Sequence, residues 1–289
     1  MRFADIGQQL RAYRLETGLR AEEIASRLGV SRAALYRYEK GDVIKLDTVK
    51  RMAELLKISP LSLMGVGVEY YGRPSGYFER LRQVEEAADH ILLAYAPFCY
   101  LTTSDRFDTV LAAAFDEAAS ARGPERGQAA AAAQQVLGIL AARRRLYAQR
   151  RPGIIAIFSL SAVRAFLRLG VAGQMPLSDG MRQRCRDTAI AEVEGMADLM
   201  ESEPMGLQFG VVPQGEGGSF ELLRSRDRAT LAVNPFRPDA PPLAYSSVAI
   251  ITAADDAVAI HQRVAETLWR EAAKGKQAAT QLRELLAKP

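Results

Sequence analysis

The sequence predicts a mainly α-helical chain with an α+β component: a five-helix domain over residues 1–65, a linker over 66–77, and a larger α/β domain over 78–289. Two observations predict the first part. Residues 20–41, RAEEIASRLGVSRAALYRYEKG, hold two short helical patterns on either side of Gly29, and the flanking segments repeat the same apolar spacing. A third observation predicts the second part: beyond residue 153, short apolar runs rich in β-branched residues alternate with helical patterns, the order of an α/β or α+β plan.

A first helix runs from about Ile6 to Thr17, with Ile6, Leu10 and Tyr13 inward and Gly18 as its stop. In the second, Ile24, Ala25 and Leu28 share one face, while Glu22, Glu23, Ser26 and Arg27 take the others. Gly29 supplies the left-handed residue that a helix C-terminus favours. Ser31 is an N-cap for a third helix, from which only Leu35 and Tyr38 need point inward. Arg32, Ala33, Tyr36, Arg37 and Lys40 then face outward. In a fourth helix near Leu46 to Leu56, Leu46, Val49, Met52, Ala53 and Leu56 are spaced for one face, and Ser59-Pro60 opens a short fifth through Met64. The outward face of the third helix suits a DNA major groove, where side chains near a helix N-terminus meet base edges and the flanks meet phosphate. It equally describes the solvated side of a helical hairpin.

Residues 3–64 resemble, nearly throughout, the five-helix DNA-binding domain of the phage Cro and repressor (XRE-like) family. The matching stretches are IGQQLRAYRLETGLRAEEIASRLGVS, RAALYRYEKG and LDTVKRMAELLKIS. The resemblance implies that the third helix reads DNA, with Arg32, Ala33 and Arg37 at base-reading positions, Tyr36 beside them, and Ser31 and Lys40 at phosphate positions. It implies, too, a buried ion pair of Arg14 with Glu39 that locks the first helix to the third. One position departs from the pattern. The family usually carries Gln where this chain has Ala21, so a phosphate contact is missing unless Arg20 replaces it.

Composition fits a globular protein of 289 residues, 48% hydrophobic and 25% charged. The net charge of +4 is unevenly placed: residues 1–65 hold 12 basic and 8 acidic residues, which leaves 26 of each for the rest. All of the excess positive charge therefore lies in the expected DNA reader, whose non-specific affinity would come from phosphate contacts. Cys99 and Cys185 have no ligand-like spacing and read as buried free thiols of a reducing compartment. With no apolar signal core and no long apolar run, the expectation is a cytoplasmic, nucleoid-associated protein with no membrane contact.

Residues 65–77, GVGVEYYGRPSGY, break the helical texture and read as a partly ordered linker. Helical patterns follow over 78–96, ending before Pro97, over 104–121, and over 127–150, where an alanine run is a strong helix former. IIAIFSL at 154–160 reads as a strand, SAVRAFLRLG as a capped helix ending at Gly170, and residues 178–200 as another helix. LQFGVVP, SFELLRS, ATLAVNPF and SSVAIITA are strand-like, with GEGG and RPDAPP as turns, and a helix or pair of helices closes the chain from about Asp255. The order of these pieces is loosely similar to the ligand-sensor-like domain attached to many actinobacterial helix-turn-helix regulators, through RRRLYAQRRPGIIAIFSL, SAVRAFLRLG and LQFGVVP.

No catalytic, metal or cofactor signature appears. A self-cleaving Ser–Lys protease, suggested by Ala172-Gly173 and Ser178, fails because no lysine lies between Lys57 and Lys274 and because bond and serine are too close. His90 and His261 each stand alone on a helical pattern. GEGG lacks the context of a phosphate loop. Arg143, Arg144, Arg145, Arg150 and Arg151 form a basic cluster that could hold an anionic effector or DNA backbone, although a solvated helix end explains it too. Arg182, Arg184 and Arg186 read as a solvated face.

The resulting expectation is a transcriptional regulator that binds double-stranded DNA as a homodimer on an inverted repeat and senses a small-molecule effector through its second domain. Two alternatives stay open at this point. One is an antitoxin-like or other protein-partner module, and the other an enzyme with carboxylates among Glu192, Glu194 and Glu201.

Overall fold

A computed structural model describes residues 3–64, 67–213, 218–236 and 247–287; the GEGG and RPDAPP turns fall wholly or largely outside the described residues. Five helices come first: α1 (Phe3–Thr17), α2 (Ala21–Leu28), α3 (Arg32–Glu39), α4 (Leu46–Leu56) and α5 (Pro60–Leu63). Their shared core contains Leu10, Ile24, Leu35, Met52 and Leu63, all fully excluded from solvent. Truncating any of these to alanine removes buried contacts and leaves a cavity, a loss of about 2–5 kcal/mol for each large aliphatic side chain. Leu46 departs from the expected face: it is 76% exposed, because it stands at the first position of α4 before the helix turns its apolar side inward.

The α/β domain is built from β1 (Val68–Tyr71), α6 (Pro74–Ala87), β2 (His90–Ala96), α7 (Asp105–Ser120), α8 (Arg126–Arg150), β3 (Gly153–Ser159), α9 (Leu160–Leu169) and α10 (Asp179–Ser202). It continues through β4 (Leu207–Val212), β5 (Phe220–Arg224), β6 (Ala229–Val233), β7 (Ala249–Thr252), α11 (Asp255–Glu271), β8 (Ala273–Lys274) and α12 (Gly275–Ala287). One mixed sheet holds the strands in the order β1-β7-β6-β5-β2-β3-β4-β8. Its centre, β2-β3-β4, is parallel, and the long helical crossovers between those strands make that possible.

One face of the sheet contributes Ile91, Ile154, Phe158, Phe209, Val211 and Ile251 to a core shared with the flanking helices. The other contributes Ile157, Val212, Phe220, Leu222 and Leu231, and α11 covers it with Ala265 and Leu268. Central strands buried on both sides lose the polar alternation that marks a surface strand.

That loss explains one correction. Residues 78–96 were expected as a single helix, yet α6 ends at Ala87 and HILLAYA is β2, paired with β3 on one side and β5 on the other. A continuous apolar run fits a buried strand and a buried helix equally, and only its neighbours decide between them. His90 therefore stands on a strand, not a helix.

The linker expected over residues 66–77 is corrected as well; residue 66 lies outside the described residues. Val68–Tyr71 forms the edge strand β1, registered against Ala249–Thr252, far along the chain. The next residues are gripped by α1. Glu16 accepts hydrogen bonds from the backbone N–H groups of Gly72 (2.8 Å) and Arg73 (3.0 Å), and Ser75 Oγ donates to the Leu15 carbonyl (3.3 Å). Pro74 sits in the first turn of α6, where its missing N–H costs nothing. Gly76 lets α6 lie against α1, since an added Cβ would come within 2.8 Å of Glu16 Cβ and 3.0 Å of its Cα. At Gly76, then, what looked like flexibility is a small-residue contact.

A buried polar network completes this seam. Arg80 of α6 donates to Glu69 of β1 through both Nε (2.8 Å) and Nη2 (3.0 Å), and Glu69 also accepts from Gln9 Nε2 and Tyr71 Oη, each at 2.7 Å. Tyr71 stacks on Tyr13 of α1 with ring centroids 5.3 Å apart, and Arg11 pairs with the buried Glu79 at 2.9 Å. The five-helix domain is docked on the sheet domain.

Candidate nucleic-acid interface

The turn between α2 and α3 is set by backbone chemistry. Gly29 adopts φ +68°, and the N–H groups of Gly29 and Val30 bond to the carbonyls of Ser26 (3.1 Å) and Ala25 (3.0 Å), closing α2. Ser31 then caps α3, its Oγ accepting from Ala34 N–H at 3.1 Å. At the start of α2, Glu23 reaches back to the Arg20 N–H at 2.8 Å, which is the N3 half of a capping box.

Below the turn, Leu35 packs into the core. Arg14 Nε and Nη2 donate to the two carboxylate oxygens of Glu39 at 2.5 and 3.1 Å, tying α1 to the end of α3 as the sequence resemblance implied. Arg51 of α4 donates to the Leu28 carbonyl at 2.9 Å, bracing the turn from behind; this contact has no local sequence signal.

Above it, Ser31, Arg32, Ala33, Arg37 and Lys40 are exposed and Tyr36 is half-buried. Residues 32, 33, 36, 37 and 40 are spaced by one or about one helical turn, so they share one face of α3. Arg32 lies 5.3 Å from the Tyr36 ring centroid and donates to its hydroxyl at 3.3 Å, and its other amino group meets Glu22 at 2.6 Å. The Tyr36 hydroxyl and the Glu22 carboxylate hold the Arg32 guanidinium above its ordinary value. Arg37 sits 3.6 Å from Asp42. Arg20 is set apart on the α2 terminus, 81% exposed and 3.9 Å from Glu23.

Glu22 and Asp42 are the residues of this candidate interface that sequence reasoning missed. Each holds one arginine in place by an exposed ion pair of small energy. A phosphate or a base edge can displace either carboxylate, since all four side chains are solvent-accessible.

The basic cluster on α8, left open between a shared anion site and a solvated helix end, is spread over several partners. Arg143 is buried, donates to both oxygens of Glu85 at 2.9 and 2.7 Å, lies 4.0 Å from Glu221, and covers the rings of Phe78 and Tyr100. Arg144 pairs with Asp105 (2.6 Å) and Asp108 (2.7 Å), and Arg150 lies 3.9 Å from Asp89. Arg145 and Arg151 are exposed. The helix distributes these cations around its circumference, so Arg143 and Arg144 serve the fold and no common anion site forms from the five.

Burial raises Glu221 from 4.5 to about 7, with Glu85 adding to the rise and Arg143 opposing it. Between those two pH values the native protein keeps a proton that the unfolded chain has released. Stability is therefore expected to fall as pH rises through that window. Glu221→Gln should abolish that slope and stabilise the protein at pH 8 by up to about 3 kcal/mol. Urea unfolding from pH 4.5 to 8 checks this, and an unchanged slope in the variant would remove Glu221 as its source.

Two of the three candidate carboxylates also have structural partners. Glu192 accepts from Ser104 N–H (3.1 Å) and Ser104 Oγ at the start of α7, Glu201 pairs with Arg283, and Glu194 is exposed. Cys99 and Cys185 are buried, as expected, and burial raises the Cys99 thiol to about 12. Among the described residues, no helix is long and apolar enough to cross a membrane.

Residues 5–62 match the family model described as a helix-turn-helix domain. They form a helix-turn-helix domain. Two curated relatives, both inferred HTH-type transcriptional regulatory proteins, are 28% identical (Pyrococcus horikoshii) and 26% identical (Pyrococcus abyssi) over 144 residues, 46% of this chain and 45% of each relative. The chain spans a little under half the length of the curated relatives it matches. Among solved structures, the archaeal chromatin protein TrmBL2, described with a novel mode of DNA binding, aligns over 91% of this chain and 92% of its own. At 12% identity and a TM-score of 0.29, that likeness bears no argument.

Proposed function

We propose that this chain is a sequence-specific DNA-binding transcriptional regulator of the XRE-like kind, acting in the cytoplasm on nucleoid DNA as a homodimer. The observation that supports it best is the exposed face of α3, carrying Arg32, Ala33, Tyr36 and Arg37 on a helix locked from below by Leu35 and by Arg14 with Glu39. Arg32 and Arg37 read base edges, while Ser31, Lys40 and Arg20 contact phosphate. The whole excess of positive charge lies in this helix-turn-helix domain, which suits a polyanion.

A single module buries only about 600–1,000 Å² on DNA. A dimer places two reading helices about 34 Å apart, one turn of B-DNA. The second domain joins the protomers and responds to a small effector. Chromatin-binding sites recovered in the native host should yield an inverted repeat, and footprinting on that sequence should protect both half-sites. Protection of one asymmetric half-site overturns the dimer.

A further inference from the structure

The seam between the helix-turn-helix domain and the sheet holds a cavity of about 840 Å³, within the range of sites for small organic ligands. One wall comes from the reader: Gln8 and Gln9 of α1, and Met64 just after α5. The opposite wall comes from Val84 and Ala87 of α6, and from Leu223 and Thr230, register partners on β5 and β6.

The charges of this lining cancel. Arg80 is bound by both oxygens of Glu69, and at the β5–β6 turn Asp227 is followed by Arg228. The lining thus offers no net charge, and an ionic occupant would lose its hydration shell without a field of one sign to replace it. Gln9 and Gln83 are also committed, Gln9 to Glu69 and Gln83 to the Gln8 carbonyl and Glu79. Among the described residues the Gln8 amide and the Thr230 hydroxyl hold no side-chain hydrogen bond, and they remain to meet a ligand's polar groups.

We propose that this cavity binds an uncharged, largely apolar small molecule bearing one or two hydrogen-bonding groups, and that its occupancy changes the affinity of the reader for DNA. The coupling follows from position, because an occupant touches Gln9 and Arg80, which dock α1 on the sheet domain, as well as the reader's own wall. The coupling rests on the regulator reading; the pocket does not.

The test is a fluorescence titration of the full chain with N-phenyl-1-naphthylamine, a neutral probe, beside 8-anilinonaphthalene-1-sulfonate, which carries nearly the same rings and one negative charge. The neutral probe should saturate at one site per chain, bind at least several-fold tighter than the sulfonate, and lose tenfold or more in affinity in both Ala87→Trp and Ala254→Trp, since Ala254 also lines the cavity. Circular dichroism identifies a variant that fails to fold, and the other then decides. No saturable site, affinity untouched by a folded tryptophan variant, or a sulfonate bound as tightly as the neutral probe overturns the pocket. DNA binding is measured in parallel without probe. A chain that binds DNA and not the probe keeps the regulator reading and loses the pocket; the reverse keeps the pocket alone. With both bound, probe and DNA must shift each other's affinity by the same factor. Independent binding overturns the coupling.

Discussion

Arg32→Ala/Arg37→Ala is expected to abolish specific operator binding while leaving the fold unchanged. Each arginine that reads a base contributes about 1–3 kcal/mol, so a half-site loses about 2–6 kcal/mol, at least roughly 30-fold in affinity. The fold should survive because both side chains are exposed and neither joins the core or the cap at Ser31. The substitution also leaves Glu22 and Asp42 without their partners beside the DNA. Part of the measured loss would then be repulsion from phosphate, and it should shrink when Glu22→Gln and Asp42→Asn are added. Electrophoretic mobility shift on operator and on random DNA separates the roles. An equal fall on both would make the arginines phosphate contacts.

Arg143→Met is expected to cost about 3–5 kcal/mol of stability, because it strands two buried carboxylates, Glu85 and Glu221, with no cation between them. The loss should be larger at pH 8 than at pH 5, since at low pH the Glu221 carboxyl, raised by burial, takes up a proton and sheds its charge. Adding Glu85→Gln should recover part of it. Urea unfolding at the two pH values reports this directly. A loss below about 1 kcal/mol, or one independent of pH, would show that water reaches the pair.

The stranded charges illustrate where sequence reasoning stops. In the sequence, Arg143 is one of five arginines within nine residues, indistinguishable from Arg145. Its character depends on Glu85 from α6 and Glu221 from β5, residues 58 and 78 positions away. The α3 face was legible for the opposite reason. Its signals are local: a capping serine, a turn glycine, and apolar residues at helical spacing all lie within about twenty residues.

The sequence alone determined the five N-terminal helices, the turn at Gly29, the outward set of α3, the pairing of Arg14 with Glu39 through family resemblance, and the alternation of strands and helices after residue 153. Apart from that pairing, which the resemblance implied, those depend on propensity, capping and periodicity, which act over one or two turns of chain. Only the tertiary structure decided that Val68–Tyr71 is a strand, that HILLAYA lies between β3 and β5, and that the helix-turn-helix domain is docked. A strand is defined by its partner, and the partner of β1 lies about 180 residues downstream. Gly72, Pro74 and Gly76 have the composition of a hinge; with Gly72 hydrogen-bonded to Glu16 of α1 and Gly76 lying against it, they leave no room for one.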